Sequence, residues 1–176
     1  MSNKIIFILI GPKGSGKTHI GSLIKRQLGI KFFRVEDVWL KLVKEQFSDA
    51  YIQKGFSLVE QELDEKLKKT DRIIIESTAA HEEFHNFLAR LRKKYNIKLV
   101  KISAPLDLCL NRTISRDQTI HIPVSDNRVE EINRKAFSVD LPFDLVIEND
   151  KRTDKEIVEI FLQFYKCLNS TSYNTK

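Results

Sequence analysis

The segment Gly11-Pro12-Lys13-Gly14-Ser15-Gly16-Lys17-Thr18 sets three glycines, a lysine and a hydroxyl at the spacing G-x-x-x-x-G-K-[ST]. Each specified residue has a mechanical reason to be there. Glycines at 11, 14 and 16 let the backbone adopt positive φ and turn its N–H groups inward around an anion, and a helix starting just after them adds its positive end. Lys17 then reaches the β- and γ-phosphates of a nucleotide, and the Thr18 hydroxyl is offered to Mg²⁺. A Gly-rich solvent turn has no use for a lysine aimed into it. The chemistry expected is phosphate binding by Gly11, Pro12, Lys13, Gly14, Ser15, Gly16, Lys17 and Thr18, with ATP and Mg²⁺ as the cofactors.

Such a loop works only if a strand delivers it and a helix leaves it. Upstream lies the apolar run Lys4–Ile10, and downstream an amphipathic stretch to Leu28 that Gly29 closes as C-cap. Short β-branched runs then recur between longer amphipathic ones, the pattern of βαβ units building a parallel sheet. This reading places further strands at Ile30–Val35, Arg72–Glu76, Leu99–Ser103 and Leu145–Glu148. Helices are expected near Asp37–Phe47, Phe56–Lys69, Ala80–Lys94, Leu106–Arg116 and Asp154–Leu168, with a short one ending at Phe137. The aromatic and aliphatic groups Trp39, Leu40, Leu42, Val43 and Phe161, Leu162, Phe164, Tyr165 have helical spacing and read as core packing.

The 176 residues suit one domain that buries roughly 70% of its unfolded surface, over residues 1–170 with a polar, disordered tail at 171–176. Cys109 and Cys167 lie in apolar helical patterns without C-x-x-C spacing, which reads as two buried thiols in a reducing compartment. The run Ile5–Ile10 is too short for a signal segment, and no window approaches a membrane span, so a cytoplasmic protein without membrane contact is expected. Thirty basic against 24 acidic residues, spread through the chain, give a net charge of +6. That excess favours anionic ligands in general without favouring nucleic acid, and nothing in it specifies an oligomeric state. His81 and His85, four apart on the expected helix, read as a surface pair in the absence of an H-E-x-x-H pattern.

The phosphate loop after strand 1, the acids closing a short second strand and an R-x-x-x-R segment before a polar stretch together resemble the small P-loop kinases. That superfamily includes shikimate, gluconate and nucleoside monophosphate kinases, chloramphenicol phosphotransferases and polynucleotide 5′-kinase domains. The resemblance implies an α/β, three-layer P-loop NTPase fold: a five-stranded parallel sheet flanked by helices, strand 1 central, the active site at the carboxyl ends of the strands. It also implies an acid after strand 2 that takes the proton of an acceptor hydroxyl, here Glu36 or Asp37, the latter also suited to a helix N-terminus. Glu76, closing strand 3 beside the loop, is expected either to serve Mg²⁺ with Thr18 or to be a plain strand-end charge.

Arg112 and Arg116 share a helix face, and resembling kinases use arginines there to clamp nucleotide and transferring phosphoryl group, the following segment 117–126 acting as a lid. Arg128 and Arg134 read as surface charges. Asn149 and Asp150 stand where such kinases meet the adenine, and Thr153 reads as an N-cap. The acceptor pocket is expected between Trp39 and Glu60 and near His81. Shikimate kinases carry an aspartate where Arg34 stands, an arginine where Ser57 stands and a glycine triplet near Glu76-Ser77-Thr78-Ala79-Ala80; nucleoside monophosphate kinases carry D-G-[FY]-P-R there. The reading is an ATP- and Mg²⁺-dependent kinase acting on a hydroxyl of a small molecule. The alternatives are a nucleoside, nucleotide or polynucleotide 5′-kinase, and a nucleotide-binding regulatory module that transfers nothing.

Overall fold

A computed structural model describes residues 4–42, 48–115 and 126–171. Its elements run β1 (Ile5–Ile10), α1 (Lys17–Leu28), β2 (Lys31–Phe32), α2 (Glu36–Leu42), α3 (Asp49–Leu67), β3 (Arg72–Ser77), α4 (Glu83–Lys94), β4 (Asn96–Ser103), α5 (Leu106–Ile114), α6 (Asp126–Phe137), β5 (Leu145–Glu148) and α7 (Asp154–Thr171). The five strands form one parallel sheet in the order β2-β3-β1-β4-β5, so the strand that feeds the glycine loop is central.

Side-chain alternation along β1 explains the three layers. Ile6, Ile8 and Ile10 enter one core with Ile73, Ile75 and Leu99, closed by Val59 and Leu63 of α3 and Phe84, Phe87 and Leu91 of α4. Phe7 and Leu9 enter the other with Ile74, Val100 and Ile147, closed by Ile20 and Ile24 of α1 and Ile157 and Phe161 of α7. A strand covered on both faces has no polar side to show, which is why β1 reads as an unbroken apolar run.

Several boundaries depart from the expected ones for local reasons. Strand β2 is shorter than Ile30–Val35, because after Phe33 N–H donates to Ile74 C=O the chain turns at once, with Asp37 N–H on Arg34 C=O and Val38 N–H on Val35 C=O. Helix α3 starts seven residues before Phe56, since the Ser48 hydroxyl accepts from Tyr51 N–H as N-cap. Helix α4 starts at Glu83, so His81 lies ahead of it and does not share a helix face with His85. In the intervening turn the Ser77 hydroxyl accepts from Ala79 N–H, and Ala79 takes φ 53°, the left-handed region an alanine seldom enters. Strand β4 begins at Asn96, paired with Ile5, and α7 runs on to Thr171.

Cys109 is buried as expected, whereas Cys167 is exposed: its position on α7 faces away from the sheet. Trp39 is only partly buried, packed against Tyr51 and Phe56 of α3 at centroid distances of 5.7 and 5.5 Å. Val43, Arg116 and the expected lid up to residue 125 lie outside the described residues. Among the described residues no helix is long and apolar enough to cross a membrane, and none group as a metal cluster of three or more His, Cys, Asp or Glu.

Candidate active site

The loop between β1 and α1 is positioned by close approach as much as by dihedral angle. Gly14 and Gly16 have φ of 84° and 96°, and a Cβ on either would lie 2.0 Å from the Cys109 carbonyl oxygen of α5 or 2.1 Å from Asn149 Nδ2. Neither a side chain's preferred backbone nor its volume is tolerated there. Lys17 is 9% exposed and donates from Nζ to the carbonyls of Gly11 and Pro12, each at 2.8 Å, so the loop folds its own cation back across its mouth. Burial brings the Lys17 pKa down to about 8, partly offset by the carboxylate of Glu76.

Strand register supplies the neighbouring acid. Leu9 pairs with Glu76 and Gly11 N–H donates to Ser77 C=O, which sets the end of β3 beside the loop. Glu76 is 8% exposed, and its Oε2 accepts from the Thr18 hydroxyl at 2.7 Å. Its Oε1 is buried with no hydrogen-bond partner, and burial pushes the carboxyl pKa up. A buried acceptor left over next to a hydroxyl and a lysine is a costly arrangement unless a ligand takes it up.

Strand β2 lies next to β3, so the chain leaving it carries Arg34, Glu36 and Asp37 past Glu76. Glu36 is nearly covered at 13% side-chain exposure and accepts from Arg34 Nη2 at 3.0 Å. Asp37 is 55% exposed with Arg34 Nη1 at 3.5 Å. Glu36 acts electrostatically on both Lys17 and Glu76. The structure thus brings Lys17, Thr18, Glu76 and Glu36 together and leaves Asp37 at the rim.

On the other side of the loop, Asn149 follows β5, its N–H on Ser103 C=O, and its side-chain Nδ2 donates to Ser15 C=O at 2.8 Å. Arg112 of α5 donates to Asn149 C=O at 3.1 Å, which joins these two expected residues into one unit beside the phosphate loop. Arg128 and Arg134 pair along α6 with Glu131 and Glu130 at the surface, as surface charges do. Glu60 pairs with Arg90 and Lys94 on the outer side of α3 and α4, where it serves helix packing. A cavity of about 520 Å³ also lies there, lined by Ser57, Glu83, Asn86 and Arg90 and away from the loop.

Two residues had no place in the motif reading. Arg34, a mismatch to the resembling kinases, holds Glu36. Asn133 of α6, completely buried, binds the loop backbone at Lys13. A signal for Asn133 existed: it interrupts the buried stripe Val129–Asn133–Ala136, where an apolar residue is the default.

A glycine loop at the centre of a parallel sheet, with lysine, threonine and a strand-end glutamate converging on it, defines the class as the small P-loop kinases, which are phosphotransferases. Residues 6–138 match the family described as AAA domain, and the chain belongs to that family. It is 22% identical to a shikimate kinase of Thermodesulfovibrio yellowstonii, covering 93% of this chain and 96% of that one. It is 27% identical to a cytidylate kinase of Sulfolobus acidocaldarius, covering 88% and 91%. Among solved structures it is similar to the Mycobacterium tuberculosis APS kinase in complex with AMPPNP and APS, with a TM-score of 0.66 at 14% identity over 93% of this chain and 99% of that one.

Proposed function

We propose that the protein is an ATP- and Mg²⁺-dependent cytoplasmic kinase that transfers the γ-phosphoryl group to a hydroxyl of a small molecule, with Glu36 as the base. The observation that carries this reading is Glu76: a buried carboxylate with one oxygen on Thr18 and the other unpartnered, beside a buried lysine. The donor set is hard oxygen, which fits Mg²⁺. Thr18 and Glu76 would hold the ion, directly or through water, and it would neutralise charge developing on the β- and γ-oxygens.

The chain's own residues do the rest. The loop N–H groups and the start of α1 orient the phosphates, and Lys17 leaves the Gly11 and Pro12 carbonyls to neutralise the γ-phosphoryl oxygens. The acceptor oxygen forms its bond to the γ-phosphorus as the bond to the β,γ-bridging oxygen breaks, and ADP leaves with that electron pair. The acceptor proton passes to Glu36, held in place by Arg34. Arg112, tied to Asn149, fits a role at the nucleotide, and we propose Arg116 as its companion.

Arg34 and Ser57 stand against shikimate as the acceptor, since the side chains that would bind it in the resembling kinases are replaced. The cytidylate kinase relative supports a second reading, a nucleoside or nucleotide acceptor. A turnover screen that follows ADP release with sugars, shikimate, nucleosides, nucleoside monophosphates and short 5′-hydroxyl oligonucleotides separates the readings. Acceptor-dependent ADP release that vanishes without Mg²⁺ is expected for a hydroxyl compound of low mass. ATP binding without turnover on any acceptor would replace the proposal with a non-catalytic nucleotide-binding module.

A further inference from the structure

Helix α6 reaches the phosphate loop from beyond the sheet, and the contact it makes is specific to one side chain. Asn133 is 0% exposed. Its Oδ1 accepts from Lys13 N–H at 2.7 Å and its Nδ2 donates to Lys13 C=O at 3.1 Å. One carboxamide therefore satisfies both polar groups of one peptide residue, as a neighbouring strand would. Aspartate has no donor for the carbonyl and glutamine is one methylene too long for the same approach. Ala136 and Phe137, further along α6, line a cavity of about 60 Å³ against Gly11 and Pro12, so α6 flanks the loop over more than a single bond.

The position of the clamp matters for anion binding. With Lys13 N–H committed to Asn133 and Ser15 N–H on Pro12 C=O, those two donors are already engaged within the protein. The N–H groups of Lys17 and Thr18 open α1 and have no carbonyl four residues back within the helix. Fixing Lys13 fixes the turn that precedes Gly14 and Gly16, and hence where the remaining donors point. A loop so rich in glycine has the most backbone freedom to lose on binding, and an anchor that removes it beforehand lowers that cost.

We infer that Asn133 is a positioning residue for the phosphoryl donor: by clamping the Lys13 peptide it holds the empty phosphate loop in its anion-binding shape, and it couples α6 to nucleotide affinity without touching the nucleotide. This rests on the reading of the loop as the ATP phosphate site. The clamp itself is testable without any nucleotide.

In the unliganded wild-type protein, the Lys13 amide is expected to exchange with solvent at least tenfold more slowly than the Gly14 and Gly16 amides. An equally fast Lys13 amide shows that the clamp is open in solution and overturns the inference. Calorimetric titration with Mg·AMPPNP, well below each variant's Tm, is expected to give Asn133→Ala a Kd roughly tenfold or more above wild type, since two polar groups of the loop lose their partners. Val129→Ala, on the same buried stripe, is the control: it lowers Tm and leaves that Kd within about twofold. An unchanged Kd in Asn133→Ala, or an equal loss in Val129→Ala, overturns the inference, whereas no binding by the wild type overturns the ATP reading instead. Asn133→Asp covers the case in which the alanine variant does not fold. Its carboxylate lacks the donor but its protonated form regains it, so the Kd ratio to wild type is expected to fall toward one from pH 8 to pH 5. A ratio that stays flat with pH counts against the clamp.

Discussion

The two sides of the active site are held in different ways. On the nucleotide side the contacts fall on backbone: Asn133 on Lys13, Asn149 on Ser15, Lys17 on Gly11 and Pro12, with glycines packed against carbonyls where no Cβ fits. On the side proposed for the acceptor the contacts are between side chains, with Arg34 on Glu36 and Asp37, and Trp39 on Tyr51 and Phe56. A backbone cradle binds the one thing all its ligands share, a phosphate chain. A cradle of side chains is redefined by each substitution, which is how one fold serves many acceptors.

The largest effect expected is at Lys17. Lys17→Met should lower kcat/KM by 10²-fold or more, because charge aimed at the transferring group is worth on the order of 3 kcal/mol. Its Tm at pH 7 should change by only a few degrees. The folded-state pKa of about 8 lies below the 10.5 of the unfolded chain, so folding expels a proton between those values. Wild-type stability relative to Lys17→Met should therefore rise from pH 8 to pH 10.5, with nothing gained below pH 8. Denaturant melts across that range check the sign; a falling difference contradicts a buried, depressed Lys17.

Substitutions at the two acids show whether the proposed acceptor side can be damaged alone. Glu36→Gln should lose roughly 10²-fold in turnover with nucleotide affinity unchanged, while Asp37→Asn, at the exposed rim, should lose threefold or less. Steady-state kinetics beside nucleotide titration decide this, and the reverse ranking would move the base to Asp37. Glu76→Gln should raise the Mg²⁺ concentration needed for half-maximal turnover by roughly 10- to 100-fold. It should also stabilise the unliganded protein at pH 7, because the raised carboxyl pKa means that ionising Glu76 costs folding free energy as pH climbs above 4.5. The smallest effect is expected far from the site: Lys94→Met removes partners from Glu60 and Asp64 and should cost about 1 kcal/mol or less, with turnover unchanged.

How much of this was legible follows from the same contrast. The phosphate loop and the parallel strands could be read because glycine spacing and unbroken apolar runs are local signals, whereas the central place of β1 came only with the resemblance to the small P-loop kinases. Glu76 could be placed because it closes one of those runs. The different settings of Glu36 and Asp37 could not be read, since both pair with Arg34 and only the fold buries one and exposes the other. Asn133 lay 120 residues from its partner, and a carboxamide carries no mark of a backbone target. Apolar spacing puts the start of α3 at Phe56, whereas the Ser48 N-cap starts it at Asp49.

Trp39 is the chain's one tryptophan, and its ring packs close to Gly55, where any added Cβ would sit 2.0 Å from it. All indole emission from this protein therefore originates between α2 and α3, three residues from Glu36 and on the opposite flank of the sheet from Asn149. The molecule carries a built-in optical probe of the half proposed to hold the acceptor. A change in that emission on adding a compound, with the nucleotide site already saturated, would report a shift of α2 against α3 with no label attached.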